Sequence, residues 1–119
     1  MEGVERASPA LIRAVASRRR LYLAAPGDEL DRYITAMGAE AAASGEDNHD
    51  VLVRPDPSKA ALLEEFLHGT QNRLGIIASS GDIRAAEHHV KDFMIRHRRL
   101  LGLGDEDVRR LTLLRDAGL

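Results

Sequence analysis

Leu74-Gly75-Ile76-Ile77-Ala78-Ser79-Ser80-Gly81-Asp82 is the stretch on which the fold turns. Upstream of it, Leu63, Phe66, Leu67, Thr70, Leu74 and Ile77 recur at helical spacing, with Glu64, Glu65, His68 and Asn72 on the opposite side. Asp56-Pro57 reads as an N-cap followed by proline at the first helical position, where its missing N–H costs nothing. A helix from Pro57 to about Ser79 would be about 34 Å long at 1.5 Å per residue. Gly81 suits the left-handed position past a helix end, and Asp82 suits the cap of the next helix. Beyond it Ile83, Ala86, Val90, Phe93, Met94, His97 and Leu101 share a face. Two amphipathic helices joined by so short a loop fold back on one another, so residues 57–101 are expected to form an αα-hairpin.

Working outward, Gly102-Leu103-Gly104-Asp105 repeats the punctuation, with Asp105 as a cap and Glu106 and Asp107 in the first turn. Val108, Leu111 and Leu114 then mark a short final helix that Gly118 closes. In the first half, Ser8-Pro9 begins a helix carrying Leu11 and Val15, and Asp28 caps another carrying Leu30, Ile34, Met37 and Ala41. Residues 44–55 read as a polar loop and connector, with Val51-Leu52-Val53 extended ahead of two prolines. The expectation is one domain over residues 1–119, mainly α: a small helical bundle around the C-terminal αα-hairpin plus the short final helix. The alternative is a small α/β fold with strands near 20–25, 51–54 and 74–78, each followed by helix-like sequence. Both share the last two helices.

Two short resemblances accompany these readings. Leu21-Tyr22-Leu23-Ala24-Ala25-Pro26 resembles the first strand of nucleoside deoxyribosyltransferases, but no later segment matches that family's catalytic carboxylate. Gly81-Asp82-Ile83-Arg84-Ala85-Ala86 resembles the inter-helix turn of tetratricopeptide repeats and of the helical effector domains of GntR-type regulators. Phe93 stands where those effector domains would place a metal-binding histidine, so neither resemblance implies a site residue.

Composition removes several classes of chemistry. The 119 residues contain no cysteine, which excludes disulfides, thiolate catalysis and cysteine-ligated metal within this sequence. Two Tyr, two Phe and no Trp leave few flat faces on which a base or sugar can stack. Met1–Arg20 carries charges throughout with no apolar h-region, and no apolar run is long enough to span a bilayer, so a cytoplasmic location without membrane contact is expected. Net charge is −2, but residues 1–26 are basic and residues 27–56 acidic, a pattern that can pair within the fold. No phosphate-binding loop, G-x-S-x-G elbow or HExxH motif occurs.

Among the five histidines, His88 and His89 point about 100° apart on a helix, and His97 lies about 12 Å beyond His89 along its axis. No two have the i, i+4 spacing of a zinc helix. The mixed pairs Glu64/His68 and His88/Asp92 do have that spacing, and Glu65/His68 is an ExxH. They make a metal-ligand set worth testing, although the helical wheel puts them on exposed faces. His97 falls within the apolar stripe. Arg96, Arg98 and Arg99 form a basic cluster suited to phosphate contact, against an acidic overall balance. With no cofactor motif and no catalytic signature, the sequence favours a non-enzymatic helical protein–protein interaction or regulatory module, with a protein partner or homo-oligomer. Its core or interface would comprise Leu63, Phe66, Phe93, Met94, His97 and Leu101. A metal- or small-molecule-binding helical protein, possessing enzymatic activity in one form of that reading, is the alternative. A nucleic-acid-binding regulator is the second alternative.

Overall fold

A computed structural model describes residues 5–45, 48–75 and 83–118. Among these the chain is mainly helical, with a small sheet inserted in its first half. The order is α1 (Pro9–Ala16), β1 (Arg20–Leu23), α2 (Glu29–Ala36), β2 (Ala41–Ser44), β3 (Asp50–Val53), α3 (Lys59–Leu74), α4 (Ile83–Arg96), α5 (Arg98–Leu101) and α6 (Asp105–Asp116). No described helix is long and apolar enough to cross a membrane.

The sheet order is β1-β3-β2, with β1 parallel and β2 antiparallel to β3. Val51-Leu52-Val53, expected to be a connector in the bundle, is instead the central strand. Val51 and Val53 are fully buried, as β-branched residues on the covered face of a pleat tend to be. Strands near 20–25 and 51–54 therefore belong to the small α/β alternative. Of its third segment, Leu74 ends a helix, and residues 76–78 lie outside the described residues. β2 had no counterpart in either reading: Ala41, expected on a helix, pairs with Val53. Its Ala-Ala-Ala-Ser sequence has little strand propensity, so pairing with β3 and cover from α3 impose its conformation.

Local capping shifts several expected helix limits. α2 starts at the Asp28 cap, whose Oδ1 accepts from Asp31 N at 2.7 Å, but ends at Ala36, leaving Met37 exposed. α3 is capped by Ser58, whose Oγ accepts from Ala61 N, rather than by Asp56, while Pro57 is buried just outside the helix. It stops at Gly75, which is left-handed at φ 65°, and so falls short of Ser79. α6 begins after Gly104, and the Asp107 carboxylate rather than Asp105 accepts from the Gly104 N–H. The Gly81-Asp82 reversal lies outside the described residues.

α3 and α4 nevertheless run antiparallel. Glu64 approaches Lys91, His68 approaches Glu87, and Gln71 reaches Ala86, a series that ascends one helix while descending the other. Two apolar clusters flank α3. Leu62 joins Ala7, Val15, Val51 and Val53 on the sheet side, with Phe66 packed against them. Leu63 joins Val90, Met94 and Leu111 on the side of α4 and α6, with Leu67 and Leu101 at its margin. Leu62 and Leu63 point about 100° apart, so α3 is buried on two faces at once.

Gly69 shows how closely α3 is held to the first half of the chain. A Cβ there would lie 2.6 Å from Arg19 Nε and 3.0 Å from the Asn48 carbonyl. Arg19 cannot swing aside freely, because its guanidinium is buried over the Phe66 ring and bonded to Phe66 O and Thr70 Oγ1. In an open helix Gly→Ala gains about 1 kcal/mol. Here Gly69→Ala is expected to destabilise by about 1–3 kcal/mol through overpacking, measured by urea unfolding; a gain in stability would contradict this packing.

Candidate functional site

On the side away from Leu62 and Leu63 α3 presents Glu64, Glu65 and His68, which the i, i+3 and i, i+4 spacings bring together. One ligand atom from each lies within 4.8 Å of the others. The sequence places these groups towards water. The structure corrects this: β2 and α4 close over them, and only 8% of His68 remains exposed.

α4 contributes Glu87 and Lys91, one helical turn apart. Lys91 Nζ lies 2.7 Å from Glu87 Oε2 and 3.7 Å from Glu64 Oε2, with its side chain only 4% exposed. Glu87 Oε1 stands 3.3 Å from His68 Nε2, within ion-pair range but not aligned for a hydrogen bond. His68 Nε2 has no hydrogen-bond partner among the described residues.

Gln71 fixes the orientation of the histidine. Its Nε2 donates to the Ala86 carbonyl at 3.2 Å, and a carbonyl can only accept. The amide oxygen is therefore the atom 2.9 Å from His68 Nδ1, and that nitrogen must carry the proton. The lone pair of a neutral His68 thus sits on Nε2, facing the carboxylates. The same Gln71 Nε2 lies 2.8 Å from His89 Nδ1, which must accept.

Burial and neighbours set the carboxyls apart. Burial pushes Glu65 up to about 7, with Glu64 adding to the rise and His68 and the Ala43 N–H opposing it. Burial also raises Glu64, against the pull of Lys91. Glu87 goes the other way: His68 first, and Lys91 with it, hold it down to about 2. For His68, burial opposes the charged ring, but Glu87, Glu65 and Gln71 together outweigh it and raise the pKa above its ordinary value.

A pocket of about 180 Å³ opens beside Glu64 and Glu65, bounded by Gly38–Ala41 on one side and by Asp107, Arg110 and Leu111 of α6 on another. Glu40 in its wall is already engaged by Arg6 at 2.8 Å.

The remaining sequence-derived residues lie elsewhere. His88 is exposed, and Asp92 binds Arg115 at 3.0 Å and Arg96 at 2.9 Å. Each is one position past Glu87 and Lys91, hence about 100° around α4 from the face that meets α3. Arg98 and Arg99 are exposed on α5, and Arg96 is spent partly on Asp92. Leu63 and Met94 are buried, Phe66 and Leu101 half-buried, and Phe93 is 37% exposed. His97, expected within the apolar stripe, is exposed and packs its ring against Phe93 at 4.3 Å, because α4 ends just before it. Gln71, Glu87 and Lys91 were not singled out from sequence; the i, i+3 pair His68/Gln71 and the i, i+4 pair Glu87/Lys91 were the available signals. Comparison of the chain with protein families, curated proteins and solved structures finds no match.

The depressed Glu87 carboxyl gives a pH signature. Its stabilising effect is complete above the unfolded value near 4.5 and is lost as pH falls towards about 2. Glu65 has the opposite sign, weakening the fold as pH rises from about 4.5 to about 7. Glu87→Gln is expected to flatten the acid side of the stability curve measured by urea unfolding between pH 2 and 4.5. An unchanged slope would rule out the Glu87 ion pairs as its source.

Proposed function

We propose that this chain binds a divalent metal ion through Glu64, Glu65 and His68, in the gap between α3, α4 and β2. The observation that carries the reading is the convergence of two carboxylates and one oriented imidazole within 4.8 Å at a largely buried point. Gln71 acts as the supporting partner that a ligating histidine normally has, holding Nδ1–H so that Nε2 faces the ion. Lys91 already neutralises Glu87 and one oxygen of Glu64, which leaves Glu65 as the carboxylate most in need of a cation. A mixed oxygen–imidazole set favours Mn²⁺, Fe²⁺ or Zn²⁺ over Mg²⁺ or Ca²⁺, which prefer oxygen alone. Three protein ligands leave coordination positions free for water or a small molecule.

Calorimetric titration of the full chain, purified without an affinity tag, tests this with Mn²⁺ and Zn²⁺. One equivalent is expected to bind, and saturation at about a hundredfold over Kd to stabilise the fold by about 2.7 kcal/mol. Glu65→Gln is expected to weaken binding at least tenfold while the metal-free protein becomes more stable at neutral pH, because the buried charge is removed. Binding below a tenth of an equivalent, with no stabilisation by either ion, would overturn the proposal.

A helical interaction module remains a second reading, supported by a separate feature. An apolar groove of about 310 Å³ runs between α3 and α4, lined by Leu67, Leu74, Val90 and Phe93. Leu74 is 67% exposed at its rim. Self-association through it predicts a mass in light scattering that rises with concentration and returns to the monomer in Phe93→Glu.

A further inference from the structure

The pocket beside the carboxylates has a charge pattern that the ion alone does not use. Arg110, an exposed residue of α6, lines the pocket together with Glu64 and Glu65 and makes no hydrogen bond or ion pair among the described residues. Of the acidic groups elsewhere in the wall, Glu40 holds Arg6, while Asp107, 1% exposed, accepts from the Gly104 N–H through Oδ2 and leaves Oδ1 without a hydrogen-bond partner among the described residues. A cation on Glu64, Glu65 and His68 would be held by two carboxylates that line the same pocket as Arg110, with His68 lying outside that lining.

We infer that this pocket takes a small oxyanion, a carboxylate or a phosphate, with one oxygen on the metal ion and others on Arg110. The inference rests on the cation reading above and names the ligand of that same site. A guanidinium presents paired N–H donors that match two oxygens of either group. A pocket of about 180 Å³, open on one side, has room for inorganic phosphate or a short carboxylic acid. Without the ion, Glu64 and Glu65 repel an anion, so its binding is metal-dependent.

The test uses the full chain, first with Mn²⁺ alone and then with inorganic phosphate or oxalate added to the Mn²⁺-loaded protein. Water-proton relaxation reads displacement of metal-bound water, and calorimetry reads affinity. At least one of the two anions is expected to bind at least tenfold more tightly to the loaded protein than to the metal-free protein. Arg110→Gln is expected to lose about tenfold in anion affinity while Mn²⁺ affinity changes less than twofold, and Arg110→Lys to recover part of the loss. Preference for phosphate or for oxalate identifies which oxyanion the site favours. Failure of Mn²⁺ to bind overturns the cation reading and this inference together. Mn²⁺ binding without either anion, or equal anion affinity in Arg110→Gln, overturns this inference and leaves the cation reading standing.

Discussion

Burial of α3 on two faces at once governs the rest of the structure. Leu62 completes the core over the sheet, and Leu63 completes the core shared with α4 and α6. Adjacent residues on a helix diverge by about 100°, so the two clusters claim one side of α3 and leave Glu64, Glu65 and His68 on the remaining arc. α4 and β2 then close over that arc. Glu64, Glu65 and His68 become charged or polar groups held largely out of water, an arrangement that costs several kcal/mol per ion unless partners are supplied.

The partners are supplied unevenly. Lys91 reaches two of the three glutamates, and Gln71 takes one nitrogen of His68 while bonding the α4 backbone. A purely structural ion-pair network would be expected to pair each charge, since an uncompensated buried charge is strongly destabilising. Glu65 departs from that pattern: its carboxyl is pushed to about 7, and its nearest compensation is a backbone N–H and a histidine with competing claims on it. Perturbed carboxyls beside a cleft are a recurrent mark of functional sites, although structural networks also produce them. The structural reading and the ion-binding reading thus diverge at Glu65.

Gln71 gives the arrangement its directionality. Because a backbone carbonyl cannot donate, one bond to Ala86 fixes the amide, the amide fixes the His68 tautomer, and the tautomer aims Nε2 at the carboxylates. The chain of constraint passes from the α4 backbone to a side chain on α3 and ends at the cluster. A shift of α4 relative to α3 would therefore alter the chemistry of His68 as well as its packing.

Amino-acid order alone determined the helices with strong caps and long periods. Ser8-Pro9, Asp28 and the apolar repeats of α3, α4 and α6 act through neighbours within a turn, so their signal is local. Candidate ligands Glu64 and His68 were legible for the same reason, as an i, i+4 pair. What lies between elements was not. Ala41–Ser44 became a strand because β3 offers a hydrogen-bonding edge, a fact recorded nowhere in four small residues. The polar side of α3 became an interior because a second helix and a strand cover it, and helical periodicity describes only one cylinder at a time. Glu87 and Lys91 joined the cluster, and His88 and Asp92 did not, through the rotation of α4 about its own axis. That rotation is set by packing Val90 and Met94 against Leu63 and Leu111, which are distant in sequence and meet only in the folded chain.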